Sequence, residues 1–227
     1  MNMDLHSQLP LPFTHTPTYS AGDFMPARSN EAARTWLDRT AQWPDRRLAL
    51  WGEAGVGKTH LLHLWAGREG ALRLQGPGLR DPPELPPSGG IALDDCDAIA
   101  DETVLLHLLN AARDASLPVL LAARTPPARW TVRLPDLASR LRAVTAVSID
   151  PPEEPLLRGL LVRLLLDRQL RADSPVVDWL LLRLPRSAAA LRDAAARLDR
   201  TSLAAHRRID RRIAAQVIAE MRIGLGD

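Results

Sequence analysis

Gly52-Glu53-Ala54-Gly55-Val56-Gly57-Lys58-Thr59 is where this chain shows its plainest chemistry. The segment fits G-x-x-x-x-G-K-[ST] in full, the pattern of a loop that wraps a phosphate chain. Glycines let such a loop turn so that its backbone N–H groups point inward, and a helix beginning at its end adds partial positive charge. Lys58 supplies a compact ammonium for the outer phosphates, and the Thr59 hydroxyl can ligate Mg²⁺. Gly52, Gly55, Val56, Gly57, Lys58, Thr59 and the adjoining His60 form the candidate nucleotide-binding set. The chemistry also needs carboxylates. Ile91-Ala92-Leu93-Asp94-Asp95 offers them, an apolar run ending in two acids and expected to lie beside the strand that feeds the loop. Asp94 would join Thr59 around magnesium, and Asp95 could orient or deprotonate the attacking water. The expected cofactors are ATP or ADP with Mg²⁺.

A phosphate loop works only between a strand and a helix, and the flanking sequence predicts both. Arg47–Trp51 is a short apolar run that reads as a buried strand, and a helix should follow from Lys58 to about Gly67. Upstream, Ala33, Trp36 and Leu37 recur at helical spacing in a helix predicted from Asn30 to Gln42. Residues 76–90, rich in Pro and Gly, read as loop. Further strands are predicted at Ile91–Leu93, Val119–Ala123 and Ala143–Ile149, with helices near 102–115 and 135–142 between them. Strands alternating with helices predict a parallel sheet flanked by crossover helices, an α/β fold. After Pro151-Pro152 no strand candidate remains, and residues near 153–170, 174–184, 187–204 and 209–222 read as helices. Charge changes there as well. Residues 1–155 carry 15 basic and 19 acidic side chains, whereas 156–227 carry 14 and 8. Three parts are therefore expected: an extended tail over 1–20, an α/β core over 21–152 and a basic helical lobe over 153–227.

Composition narrows the class. With 227 residues, 46% hydrophobic and 25% charged, the chain is an ordinary globular protein large enough to bury a core. One cysteine, Cys96, excludes a disulfide framework and a cysteine-based zinc site. No stretch has the length and apolarity to span a membrane, and the Pro- and Thr-rich start does not read as a signal peptide. A cytoplasmic location is expected. The histidines show no metal-binding spacing, and the tryptophans scattered over 36–130 read as core. Of 29 basic residues, 28 are arginine, a bias that a GC-rich genome would produce; Lys58 alone is lysine.

Gly-Lys-Thr-His-Leu-Leu at 57–62, Leu-Asp-Asp at 93–95 and Leu-Pro-Asp-Leu-Ala-Ser-Arg-Leu at 134–141 carry a family resemblance. They resemble the AAA+ module of the bacterial initiator DnaA, and more closely its shorter Hda-type regulatory relatives. Leu198-Asp199-Arg200-Thr201-Ser202-Leu203 is similar to the Hda type as well, and the resemblance runs from Gln8 to about Ile218. It implies a P-loop AAA+ core with a small helical lid. The resemblance makes Arg140 an arginine finger, a guanidinium offered to a nucleotide on a neighbouring subunit. It also likens Gln8, Leu9, Leu11, Pro12 and Phe13 to the hexapeptide with which bacterial proteins bind the replication sliding clamp. Such a Pro-stiffened peptide loses little entropy on docking.

Two positions depart from the family pattern. Where the lid usually presents a sensor arginine, this chain has Ala189, with Arg186 and Arg192 one turn to either side as candidate substitutes. At the end of the predicted strand Val119–Ala123, Ala122-Ala123-Arg124 replaces a more polar sensor sequence. Both changes point to weak hydrolysis by the chain itself. The helix-turn-helix domain of DnaA is not found before Asp227, so no sequence-specific DNA binding is expected. Arg207-Arg208 and Arg211-Arg212 read as a solvated face suited to acidic protein partners, with phosphate contacts as the other option. The resemblance thus implies a regulator that binds the sliding clamp and promotes ATP hydrolysis in DnaA, with self-association also open. Two alternatives stand beside it: a helicase-loader type ATPase acting on single-stranded DNA, and a P-loop NTPase with a substrate of its own.

Overall fold

The computed structural model describes Tyr19, residues 21–205 and residues 208–223. Five strands form one sheet in the order β2-β3-β4-β1-β5: β1 Arg47–Trp51, β2 Leu72–Gln75, β3 Ile91–Asp94, β4 Val119–Ala123 and β5 Thr145–Ser148. All four pairings are parallel. The inner strands β3, β4 and β1 are almost unbroken apolar runs because helices cover both of their faces. Alternation along β1 divides the core in two. Leu48 and Leu50 pack with Leu37 of α1 (Glu31–Leu37) and with Leu62 and Trp65 of α2 (Lys58–Glu69). Ala49 faces the other way, toward Leu105 and Leu108 of α3 (Glu102–Asp114) and Leu137 and Leu141 of α4 (Pro135–Ala143).

Past β5 come α5 Glu154–Leu166, α6 Ser174–Leu181, α7 Ala188–Ala205 and α8 Arg211–Ile223. Their apolar residues make a separate cluster, in which Leu157, Leu161 and Leu165 form a stripe at i, i+4 spacing against Leu191, Leu198 and Val217. Proline follows the first residue of both α5 and α6, where its missing N–H removes no helical bond. Among the described residues, no helix is long and apolar enough to cross a membrane.

The sequence misses one strand. β2 lies at the sheet edge, with Leu72 and Leu74 half-buried and Arg73 and Gln75 exposed. Four residues of alternating character carry little pattern by themselves, and pairing with β3 decides their structure. The helix expected over Asn30–Gln42 also stops early, at Leu37, before a separate turn at Thr40–Gln42. That break turns Trp43 inward, stacked on Trp65 with ring centroids 5.2 Å apart and its Nε1 donating to the Trp36 carbonyl at 2.8 Å. Trp43 and Trp65 are core residues as expected, whereas Trp36, Trp51 and Trp130 are only half-buried.

Candidate nucleotide-binding site

The loop leaves β1 at Gly52, whose N–H donates to the Ala123 carbonyl at 3.3 Å. A Cβ on Gly52 would stand 2.5 Å from the carbonyl oxygen of Ile149, so this close approach requires glycine. Gly55 and Gly57 adopt φ of +83° and +108°, a region open to glycine and strained for other residues. Gly57 is also the N-cap of α2, so the first N–H groups of that 12-residue helix open toward the loop.

Lys58 folds back over the loop. Its Nζ donates to the carbonyls of Gly52 and Glu53, each at 2.8 Å, and only 9% of the residue is exposed. Burial lowers its pKa below the usual lysine value, against the pull of Asp94, Asp97 and Asp95. Among the described residues it forms no ion pair. A desolvated ammonium resting on carbonyl dipoles is suited to receive an anion, and this fits a polyphosphate better than a plain glycine turn.

The acids are placed differently from the sequence expectation. β4 lies between β1 and β3, so Asp94 is two strands away from the loop rather than beside it. The intervening strand is among the most apolar in the chain, Val-Leu-Leu-Ala-Ala, and its faces are fully covered. Asp94 remains close enough to act on Lys58 electrostatically and is 2% exposed, with Oδ1 accepting from the Asp95 N–H at 3.0 Å. Asp95 is exposed and left-handed, with φ +49°. Asp97 is structural, accepting the Arg124 N–H at 3.1 Å, and the buried Cys96 thiol is held well above its usual pKa by desolvation. Thr59 and Asp94 together offer the hard oxygens that Mg²⁺ prefers.

Gly55, Val56, Gly57, Lys58, Thr59 and His60 line a cavity of about 280 Å³. Its far wall comes from the lobe: Leu156, Leu157 and Leu160 of α5, and Ala188, Ala189 and Arg192 of α7. The third wall was not legible in the sequence. Tyr19, Phe24, Met25 and Asn30 provide it, from a segment that carries no motif. Asn30 shapes this strap by donating to the Met25 carbonyl and accepting from the Ala27 N–H, both at 3.1 Å. Arg163 of α5 pins it through an ion pair to Asp23 at 3.0 Å and a bond to the Gly22 carbonyl. One end of the cavity is therefore apolar, as a base requires, and the other is cationic, as phosphates require. His60 is buried, its ring edge-on to both Tyr19 and Phe24.

The lobe closes directly onto the loop. A Cβ on Gly55 would come within 2.8 Å of Cβ of Ser187, the residue whose Oγ accepts from the Ala190 N–H in the first turn of α7. Of the two arginines flanking Ala189, Arg192 lines the cavity, while Arg186 is exposed with Nη2 reaching the Pro152 carbonyl at 3.5 Å. Arg140 stands elsewhere. It lies in α4, paired with Asp136 at 3.2 Å, and its charge helps to lower the pKa of Arg47, the first residue of β1, after the larger effect of burial. The loop leaves β1 at the opposite end, on the order of 13 Å away along the strand. Gln8, Leu9, Leu11, Pro12 and Phe13 lie outside the described residues.

No protein-family model matches the sequence, and no curated protein sequence does. Solved structures match well. Domain III of the Thermotoga maritima replication initiation protein DnaA superposes with a TM-score of 0.74 over 90% of this chain and 97% of its own, at 17% identity. The chain has the P-loop AAA+ fold. AMPPCP-bound DnaA from Aquifex aeolicus is also similar, at 15% identity and a TM-score of 0.59 over 74% of this chain. The chain spans 61% of that protein's length. The RuvB Holliday junction branch migration motor of Thermotoga maritima gives 17% identity and a TM-score of 0.65 over 84% of this chain and 66% of its own. In AAA+ terms, the sheet with α1–α4 is the core, and α5–α8 is the helical part that meets the phosphate loop.

Proposed function

We propose that the chain is a nucleotide-bound regulator of replication initiation, of the Hda type, which promotes hydrolysis of ATP held by DnaA. The observation that carries this reading is the separation of two sites on one sheet. Lys58 and the cavity stand at the carboxyl end of β1, while Arg140 stands near the amino end of the same strand. An arginine placed there is suited to a nucleotide on another subunit, where a planar guanidinium neutralises charge growing on the transferred phosphoryl group.

Nucleotide binding in the chain's own cavity would then have a structural role. The base would rest between Phe24, Met25 and the leucines of α5, with the phosphates under Lys58 and the α2 N-terminus. Thr59 and Asp94 would hold Mg²⁺, which when bound draws charge from the outer phosphates. Arg192 would reach the phosphates in place of the arginine missing at position 189. The similarity to AMPPCP-bound DnaA supports adenine nucleotide as the ligand.

The tail would tether the protein to the sliding clamp through Gln8, Leu9, Leu11, Pro12 and Phe13. A pulldown with purified clamp tests this directly. Wild-type protein should retain the clamp, and deletion of residues 8–13 or Phe13→Ala should release it. Retention by both variants would favour the helicase-loader reading instead.

A further inference from the structure

Five exposed arginines lie along the α6–α8 side of the lobe, and none of them lines the nucleotide cavity. Arg183 stacks over the Trp179 ring with its guanidinium carbon 4.1 Å from the centroid, and Arg211 approaches the same ring at 5.7 Å. Arg212 follows on α8, and Arg171 and Arg208 immediately precede the bridged pair Ala172 and Ile209, which ties the start of α6 to the start of α8.

What sets them apart is the indole beside them, over which two of them stack. Arg68, Arg140, Arg158, Arg163 and Arg197 each form an ion pair with an aspartate. None of the five along the α6–α8 side does so among the described residues. Of the nearby acids, Asp210 Oδ1 accepts the N–H groups of Arg212 and Ile213, both at 2.9 Å, and Asp178 pairs with Arg158, while Asp173 lies exposed at the start of α6. Stacking on an indole orients a guanidinium without consuming its N–H donors. Arg183 Nη1 donates to the Trp179 carbonyl at 3.1 Å, and the other donors of Arg183 and those of Arg211 remain available to anionic oxygens.

We infer that this patch binds the phosphate backbone of duplex DNA without reading its sequence. Repeated guanidiniums without carboxylate partners, flanking α6 and at the start of α8, match a polyanion with regularly spaced phosphates. A single strand is favoured less, because binders of single strands stack bases on open aromatic faces. Here the Trp179 ring is packed on the lobe core and covered by guanidiniums. This inference is independent of the clamp and DnaA reading.

The test is fluorescence anisotropy of the full chain with a labelled 20-bp duplex, repeated with a second, unrelated sequence and across a salt series. Both duplexes should bind equally, with a log–log salt slope of about −4 to −5 for five contacts. Arg183→Ala/Arg211→Ala should weaken binding about tenfold or more and flatten the slope by about 2, while nucleotide binding in the cavity, which neither residue lines, stays intact. Arg171→Ala/Arg208→Ala, which leaves the indole stack in place, should do the same. No binding at low salt, or affinity and slope unchanged in both double variants, would overturn the inference. So would displacement of the duplex by poly-glutamate at equal charge concentration, which would make the patch a docking surface for acidic proteins.

Discussion

Lys58 is held by carbonyl dipoles in a place where its charge is poorly solvated, so it awaits an anion and adds little to the fold. Lys58→Ala should therefore lower adenine nucleotide affinity by about two orders of magnitude or more, with little loss of thermal stability. Isothermal titration and a melting curve on the same sample would check both parts. Arg192 and Arg186 make a sharper pair. Arg192 faces the cavity and Arg186 reaches the Pro152 carbonyl, so Arg192→Ala should weaken nucleotide binding about tenfold and Arg186→Ala less than about twofold. Equal effects would show that the lobe closes differently around the nucleotide. At this scale the sequence was informative wherever a residue type was itself the signal. Gly52, Gly55, Gly57 and Lys58 are dictated by close approach, positive φ and charge, and they stand where the motif put them. Tyr19, Phe24, Met25 and Asn30 were illegible because they act by apolar coverage and loop shape, which many residues could supply.

Among elements, the inner strands were plain in the sequence because burial on both faces demands continuous apolar runs. β2 was hidden because edge pairing, not its own pattern, makes it a strand. The strand order was hidden too, since nothing local to Ile91–Asp94 reveals that β4 is inserted between β3 and β1. One long-range contact bears on the arginine that the proposed function depends on. The Glu102 carboxylate, at the first turn of α3, accepts the N–H groups of Arg133 at 2.8 Å and Leu134 at 3.1 Å, fixing the entry to α4. Glu102→Ala removes the acceptor from the half-buried Leu134 N–H and leaves the exposed Arg133 N–H to water, and should cost about 1 kcal/mol in denaturant unfolding. It should also reduce any activity that depends on Arg140, without altering nucleotide affinity.

In the whole molecule, the lobe and the core meet where the phosphates would lie. Gly55 lies against Ser187 at that contact. Gly55→Val adds both a left-handed strain and a clash with α7, so it should push the lobe away and weaken nucleotide binding more than it lowers the melting temperature. The same architecture separates the chain's own cavity from Arg140 by the length of β1, and the proposed function rests on that separation. It is tested most directly by hydrolysis of labelled ATP preloaded on DnaA, with clamp-loaded duplex present. Wild-type protein should accelerate hydrolysis, whereas Arg140→Ala should bind nucleotide and clamp normally yet leave the rate at that of DnaA alone. Acceleration by Arg140→Ala equal to wild type, or none by either protein, would contradict the account.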